Sequence, residues 1–214
     1  MLGDAQDPFI KLLDDLLRDL ETSQKDVDAK HACLKELAAI SKQIGPAWSI
    51  RPFGSAANGF CTRLSDLDVT CFEDAPNGKS TSAVDAMMQM HPLLQNHSSF
   101  VVNELISSAR IPIMKIRFGK TLDVDLSFQN TEPLPNTQLL RAYAKMSPTV
   151  RQLGIIVKLW ASAEGVCGAQ DGHLSSYSLI IMVLYFLQVD EYVKMPCFPT
   201  SEFTGQKSSP ECAN

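Results

Sequence analysis

The stretch from Phe53 to Phe72 constrains the fold of this chain more than any other part of the sequence. It begins with Gly54-Ser55 and ends in a run in which apolar residues alternate with Asp66, Asp68 and Thr70. Alternation with a period of two is typical of a half-buried strand, and residues i and i+2 of a strand point to the same face. The sequence therefore predicts a strand that presents two carboxylates on one face, with Cα atoms about 6.6 Å apart.

Two carboxylates at this spacing suit a hard cation such as Mg²⁺ (or Mn²⁺), which takes oxygen ligands and completes its shell with water and substrate phosphates. Residues 55–62 predict a short helix before the strand. Its N-terminus would offer free N–H groups and the positive end of the helix dipole to phosphate. A Gly-Ser pair alone is typical of a turn, and an Asp pair alone of a solvated strand edge. Together, at this spacing, they indicate phosphoryl transfer.

The string FGS…G…SDLDV from Phe53 to Val69 resembles the terminal uridylyltransferases and noncanonical poly(A) polymerases, a branch of the polymerase-beta-like nucleotidyltransferase superfamily. The resemblance implies an α/β (α+β) fold. A small mixed β-sheet catalytic domain would pack against a helical domain built from both chain ends. It also implies that Asp66 and Asp68 are catalytic metal ligands and that Gly54 and Ser55 bind the nucleotide phosphates.

Residues 121–128 predict a further strand, on which Asp123 and Asp125 share one face. The chemistry requires a third carboxylate, which accepts the proton of the attacking hydroxyl and shares the ligation of the metal. Spacing alone leaves both aspartates open. The string DLSFQN, from Asp125 to Asn130, is similar to the family pattern. The resemblance therefore implies that Asp125 has the catalytic and metal-binding role, that Asp123 is a solvated carboxylate, and that Asn130 is a weaker candidate for a base contact.

Three further matches to this family lie in the helical part, and they imply nucleotide contacts. They are Asn136-Thr137, Lys158 within VKLWA, and Ser176-Tyr177 within GHLSSYSLII. Tyr177 would stack on the base, Lys158 would offset phosphate charge, and Asn136-Thr137 would lie near the sugar and base. Without the resemblance, Thr137 and Ser176 are equally typical of helix caps, and Lys158 of an exposed helix face. Where the family often has a second lysine, this chain has Ser162.

Composition narrows the class of protein. A hydrophobic content of 45% with 20% charged residues is typical of a globular protein. Six cysteines without zinc spacing, and a start that lacks the features of a secretory signal, predict a non-secreted protein of the cytoplasm, with the nucleus possible. The longest apolar run, residues 179–187, is too short for a membrane span. The net charge is −5, but residues 110–158 carry eight Lys or Arg against three acids, which suits a polyanionic substrate.

The patterns also predict the domain organisation. We expect a catalytic domain over 46–130, a helical domain over 1–45 plus 131–193, and an extended or disordered tail over 194–214. The helix over 175–189 is apolar nearly all round, so we expect it to be buried. Relatives continue into a nucleotide-recognition loop that this sequence does not match, so the helical domain is expected to be incomplete.

Together these features predict a template-independent RNA nucleotidyltransferase. It would add UMP from UTP or AMP from ATP to the 3′-hydroxyl of single-stranded RNA, releasing pyrophosphate by a two-metal mechanism, as in RNA 3′-end processing. The sequence does not decide between UTP and ATP, nor does it name protein partners. Two alternatives stay open: an inactive or truncated partner that binds nucleotide or RNA, and a nucleotidyltransferase that acts on a small-molecule acceptor.

Overall fold

The computed structural model describes residues 7–74, 80–168 and 172–203, and a five-stranded mixed sheet lies at its centre. The strand order is β1-β2-β5-β4-β3, with β2 and β5 parallel and the other neighbours antiparallel. The strands are β1 (Trp48–Pro52), β2 (Leu67–Glu73), β3 (Phe100–Ile106), β4 (Ile113–Phe118) and β5 (Leu122–Phe128). The helices are α1 (Pro8–Asp19), α2 (Gln24–Ile44), α3 (Ser55–Asn58), α4 (Ala83–Gln95), α5 (Pro133–Met146), α6 (Pro148–Ala163) and α7 (Ser176–Val189).

Local sequence signals set the ends of the N-terminal helices. Ser23 and Asp26 form a capping box at the start of α2, because each side chain accepts a bond from the other residue's backbone N–H. The helix ends at Ile44, before Gly45-Pro46. Proline cannot continue a helix, so the chain turns here and enters β1.

The first hydrophobic core lies between the sheet and helices α2 and α4. Residues of α2 such as Leu37 and Ile40 pack with Val69 and Leu126 of the central strands. The assignment of residues 1–45 to the helical domain is therefore wrong for α2, whose apolar face is covered by the sheet. Helix α1 instead contacts α6 and has no buried residue.

The second core lies between α5, α6 and α7. It contains residues of all three helices and also Phe60, which follows α3 and is fully buried. Gly154 on α6 makes room for this ring, because a Cβ at Gly154 would lie 2.5 Å from Phe60 Cε1. The segment between Gly-Ser and the Asp pair thus anchors the sheet to the helices.

Helix α7 differs from its prediction. Its inner face, with Leu184 and Leu187, is buried, but Met182, Tyr185 and Phe186 on the outer face are each more than half exposed. The expectation of burial all round is wrong because α7 is covered by the second core on its inner side only.

Part of the predicted tail contacts the helices. Within residues 194–203, Met195 and Phe198 pack on the second core, where the ring centroid of Phe198 lies 4.7 Å from that of Tyr143 and the Phe198 N–H donates to Tyr143 Oη. Residues 204–214, the rest of that prediction, lie outside the described residues.

Two helix boundaries differ from the sequence prediction near the site. Helix α3 ends at Asn58 rather than Thr62, because Gly59 adopts a left-handed conformation (φ 92°) and Asn58 Oδ1 accepts the Phe60 N–H. Helix α5 starts at Pro133, so Asn136 and Thr137 lie inside its first turns, and Thr137 is not its N-cap. In the described ranges, no helix is both long and apolar enough to cross a membrane.

Candidate active site

Two of the three predicted carboxylates sit side by side on parallel strands. Asp68 on β2 and Asp125 on β5 are direct partners in the register, and neighbouring strands lie about 4.8 Å apart. Residues at matching positions of adjacent strands point to the same face. Asp66 is exposed and precedes β2 by one residue, so the strand begins later than the alternation predicts.

Burial and neighbouring charges raise the pKa of both paired carboxyls. Burial raises the pKa of the Asp68 carboxyl from 3.8 to about 6, with further contributions from the negative charges of Asp125 and Asp66. The charges of Lys158 and Lys30 act in the opposite direction on the same pKa. Burial likewise raises the pKa of Asp125, against the opposing charge of Lys115. The site thus concentrates negative charge that its own cations offset only in part.

Charged residues on β3 and β4 continue the line of charged side chains that Asp68 and Asp125 begin on the neighbouring strands. Lys115 on β4 is the register partner of Asp125. Its Nζ lies 3.8 Å from Glu104 Oε2 on β3. Asp123 is exposed and accepts a 2.7 Å bond from Arg117 Nε. This pairing fits the solvated role expected for Asp123.

Gly54 brings the Gly-Ser turn against Asp68. Its backbone (φ 61°, ψ −150°) is a conformation almost restricted to glycine, and a Cβ at this position would overlap Asp68 Oδ2. The Gly54 N–H donates to Thr137 Oγ1 at 3.1 Å, and Thr137 is buried on α5. The turn is therefore fixed from both sides, by a strand carboxylate and by the first turns of a helix.

A cavity of about 720 Å³ opens between the sheet and the helical part. It brings together ten of the eleven residues that the sequence singles out. They are Gly54, Ser55, Asp66, Asp68, Asn130, Asn136, Thr137, Lys158, Ser176 and Tyr177. Asp125 is not among the residues that line this cavity, although it lies next to Asp68.

The helical side of the cavity is built by helix ends. Ser175 caps α7 by accepting the Ser178 N–H, so Ser176 and Tyr177 stand in the first turn. Ser176 Oγ lies 3.5 Å from Cys167 Sγ. Tyr177 is 39% exposed, which leaves part of its ring available to a ligand.

The cavity also has lining residues that sequence reasoning missed, including Asn58, Thr62, Ser65, Glu132 and Cys167. Ser65 Oγ accepts the Thr62 N–H and so shapes the loop before Asp66. The position of Ser65 among polar residues between Gly54-Ser55 and the Asp pair could have identified it as a lining residue. Glu132 and Cys167 carry no such local signal, because packing alone brings them to the cavity.

The carboxylates of the site are the candidate ligands of a metal ion. No group of three His, Cys, Asp or Glu side chains within the described ranges is arranged to hold a metal ion. The chemistry of the donor set nevertheless fits Mg²⁺: carboxylate oxygens lie on adjacent strands, and the pKa of Asp68 is raised first by burial and further by the charges of Asp125 and Asp66.

Comparisons with known proteins identify the family of this chain. The family described as "Poly(A) RNA polymerase, mitochondrial-like, central palm domain" matches residues 9–145. Poly(A) RNA polymerase GLD2-A of Xenopus laevis is 33% identical over 97% of this chain and 40% of its own length. Terminal uridylyltransferase cid1 of Schizosaccharomyces pombe is 29% identical over 89% of this chain and 47% of its own length. The chain thus spans less than half the length of these curated relatives.

A solved structure of the Cid1 poly(U) polymerase, described as MgGTP bound, superposes on 88% of this chain and 58% of that chain. The TM-score is 0.76 at 28% identity, which confirms the predicted nucleotidyltransferase fold. With the family match over the whole sheet and nearly all of the first helix of the helical part, this chain belongs to the terminal uridylyltransferase and noncanonical poly(A) polymerase family of nucleotidyltransferases.

Proposed function

We propose that this chain carries the catalytic centre of a template-independent RNA nucleotidyltransferase. It would add UMP or AMP to the 3′-hydroxyl of single-stranded RNA and release pyrophosphate. The observation that carries the proposal is the register pairing of Asp68 with Asp125, directly beside the Gly54 turn. Relatives named as a poly(A) polymerase and as a terminal uridylyltransferase support the reaction class and leave the base open.

The proposed roles on the reacting side follow from the geometry. Asp66, Asp68 and Asp125 would hold the two Mg²⁺ (or Mn²⁺) ions, and the exposed Asp66 has the freedom to turn toward them. Bound ions would polarise the phosphoryl oxygens and neutralise charge on the leaving group. Asp125 accepts the proton of the RNA 3′-hydroxyl, because it is the half-buried carboxylate beside Asp68.

The nucleotide side of the cavity would bind the triphosphate and base. Gly54 and Ser55 contact the β- and γ-phosphates, and Lys158, half-buried in the same lining, offsets their charge. Tyr177 stacks on the base, a contact worth about 1–3 kcal/mol in nucleic-acid complexes. The hydroxyl of Ser176 bonds the phosphate or base.

Asn136, Asn130 and Thr137 complete the proposed contacts to the nucleotide. Asn136 is exposed to the cavity and lies near the sugar and base. Asn130 is a further base contact. Thr137 accepts the Gly54 N–H through Oγ1, so its own hydroxyl proton remains for the nucleotide.

The test is extension of a labelled single-stranded RNA by the purified chain with Mg²⁺ and each NTP in turn. We expect UTP or ATP to be consumed and pyrophosphate to be released. Asp68→Asn and Asp125→Asn should abolish extension. Asp123→Asn is the matched control, because Asp123 is exposed on the same strand as Asp125 and pairs with Arg117, and it should extend RNA at the rate of the unmodified chain.

Extension by Asp68→Asn at the unmodified rate would refute the assigned roles. Absence of extension with all four NTPs, while RNA or nucleotide still binds, would favour the inactive binding partner. Transfer to a small alcohol but not to RNA would favour the small-molecule acceptor.

A further inference from the structure

A second cavity, of about 280 Å³, lies behind the segment that carries Asp66. Leu64, Ser65 and Asp66 line both this cavity and the larger one, so they form a wall between the two. The remaining lining comes from α2, Arg63 and the β4–β5 turn, namely Asp26, Ala29, Lys30, Arg63, Thr121, Leu122 and Asp123. None of these residues has a role in the reaction described above.

Two of the acids in this lining have partners of their own. Asp26 Oδ2 accepts from Ser23 N at 3.0 Å and from Ser23 Oγ at 2.7 Å, within the capping box of α2. Asp123 is paired with Arg117 at 2.7 Å. Both carboxylates therefore already accept bonds from groups of the protein.

The two cations of the lining, which also contains Asp66, have no carboxylate of the described residues bonded to them, and the charge of Lys30 acts at longer range on Asp26 and Asp68. Lys30 Nζ donates to Cys61 Sγ at 3.1 Å, and sulfur is a weak acceptor. Arg63 Nε donates to the carbonyl oxygen of Asp19 at 2.7 Å, which leaves its two terminal NH₂ groups for a ligand. In the part of the chain that the structure describes, neither residue forms a salt bridge with a carboxylate. The pocket thus presents two cations suited to an anion, and the Arg63 fork matches phosphate geometry.

The geometry of phosphoryl transfer indicates which anion would bind to Lys30 and Arg63. In phosphoryl transfer the nucleophile and the leaving group stand roughly in line on opposite sides of the phosphorus. The residues proposed for the triphosphate, such as Ser55 and Lys158, line the larger cavity. The acceptor strand must then reach the carboxylates from another side, and the second cavity adjoins Asp66 across the shared wall.

We propose that Lys30 and Arg63 form a subsite for a phosphodiester of the acceptor RNA, upstream of its reacting 3′ nucleotide. The inference rests on the proposed function for the identity of the acceptor.

The test is binding of a fluorescent single-stranded RNA in Mg²⁺ without NTP, followed by anisotropy at several salt concentrations. Lys30→Gln and Arg63→Gln should each weaken binding several-fold and reduce the slope of log affinity against log salt by roughly 0.7, as for one lost phosphate contact. Lys30→Arg should retain the slope, because it keeps the positive charge. A change seen in Lys30→Gln but not in Lys30→Arg therefore reports the lost charge and not a folding defect. Lys35→Gln, an exposed lysine on the same helix, is the matched control and should change neither quantity.

A methylphosphonate scan locates the contact. Neutralising single phosphodiesters from the 3′ end should weaken binding to the unmodified chain most at one upstream position. At that position Lys30→Gln and Arg63→Gln should cause no further loss. A loss that is the same at every position would overturn the subsite.

Equal slopes for the unmodified chain, Lys30→Gln and Arg63→Gln would also overturn it, and so would failure of the unmodified chain to bind RNA. If RNA is extended but these slopes are equal, the subsite is wrong and the proposed function stands. If RNA binds with the expected slope changes but is not extended, the proposed function is wrong and an RNA-binding subsite remains.

Discussion

Replacing Asp68 by Asn should stabilise the metal-free protein at neutral pH while it removes activity. The reason is the cost of keeping this carboxylate ionised in the fold. Burial, together with the charges of Asp125 and Asp66, raises its pKa from 3.8 to about 6. Since one pKa unit corresponds to 1.36 kcal/mol, this difference makes the ionised native state less favourable by about 3 kcal/mol. An amide must also be desolvated, so the expected gain lies between about 1 and 3 kcal/mol.

The sign of the effect sets its pH dependence. Because folding raises the pKa of Asp68, the native state binds a proton between about pH 4 and pH 6 that the unfolded chain has released. The unfavourable contribution is therefore fully present above pH 6 and absent below pH 4. Asp68→Asn should be more stable than the unmodified chain at pH 8, and the difference should vanish on the acid side of this window.

Urea unfolding in EDTA at pH 4, 5, 6, 7 and 8 measures this difference. Asp123→Asn is the matched control, because it removes an exposed ion pair worth about 0–1 kcal/mol and should slightly destabilise the protein. Adding Mg²⁺ should then raise the unfolding midpoint of the unmodified chain and not that of Asp68→Asn. No gain in stability above pH 6, or a gain that persists at pH 4, would refute the electrostatic reasoning.

Three further substitutions test the packing that holds the site. Gly54→Ala should cost about 1–3 kcal/mol and most of the activity, because its Cβ overlaps Asp68 in a strained backbone; urea unfolding and RNA extension measure the two effects. Thr137→Val should cost about 1–3 kcal/mol by leaving the Gly54 N–H without its acceptor, whereas Thr137→Ser should retain most of the stability in the same urea assay. Gly154→Ala should lower the thermal midpoint, because overpacking against Phe60 costs about 1–3 kcal/mol and exceeds the gain in helix propensity of about 1 kcal/mol. Adding Phe60→Leu should restore that midpoint, and an unchanged midpoint in the single variant would contradict the packing argument.

Several features could be predicted because their cause is local. The alternation in β5 and the buried Leu67 and Val69 of β2 each depend on residues a few positions apart, whereas the burial of Thr70 on the other face of β2 depends on packing. The end of α3 could not be predicted from the apolar pattern, since one left-handed glycine overrides it. The exposed face of α7 was missed for a different reason. Apolar residues show what a helix can bury, and only its neighbours determine which side they cover.

By itself, the sequence determined the type and approximate bounds of most elements, the Gly-Ser turn and the carboxylates offered by the strands, because periodicity and capping act within a few residues. Tertiary structure alone decided which of these groups meet. The pairing of Asp68 with Asp125, the bond from Gly54 to Thr137, and the position of Lys30 behind the Asp66 segment all join distant parts of the chain. Such contacts follow from how the sheet and helices share their buried faces, which no local pattern of residues specifies.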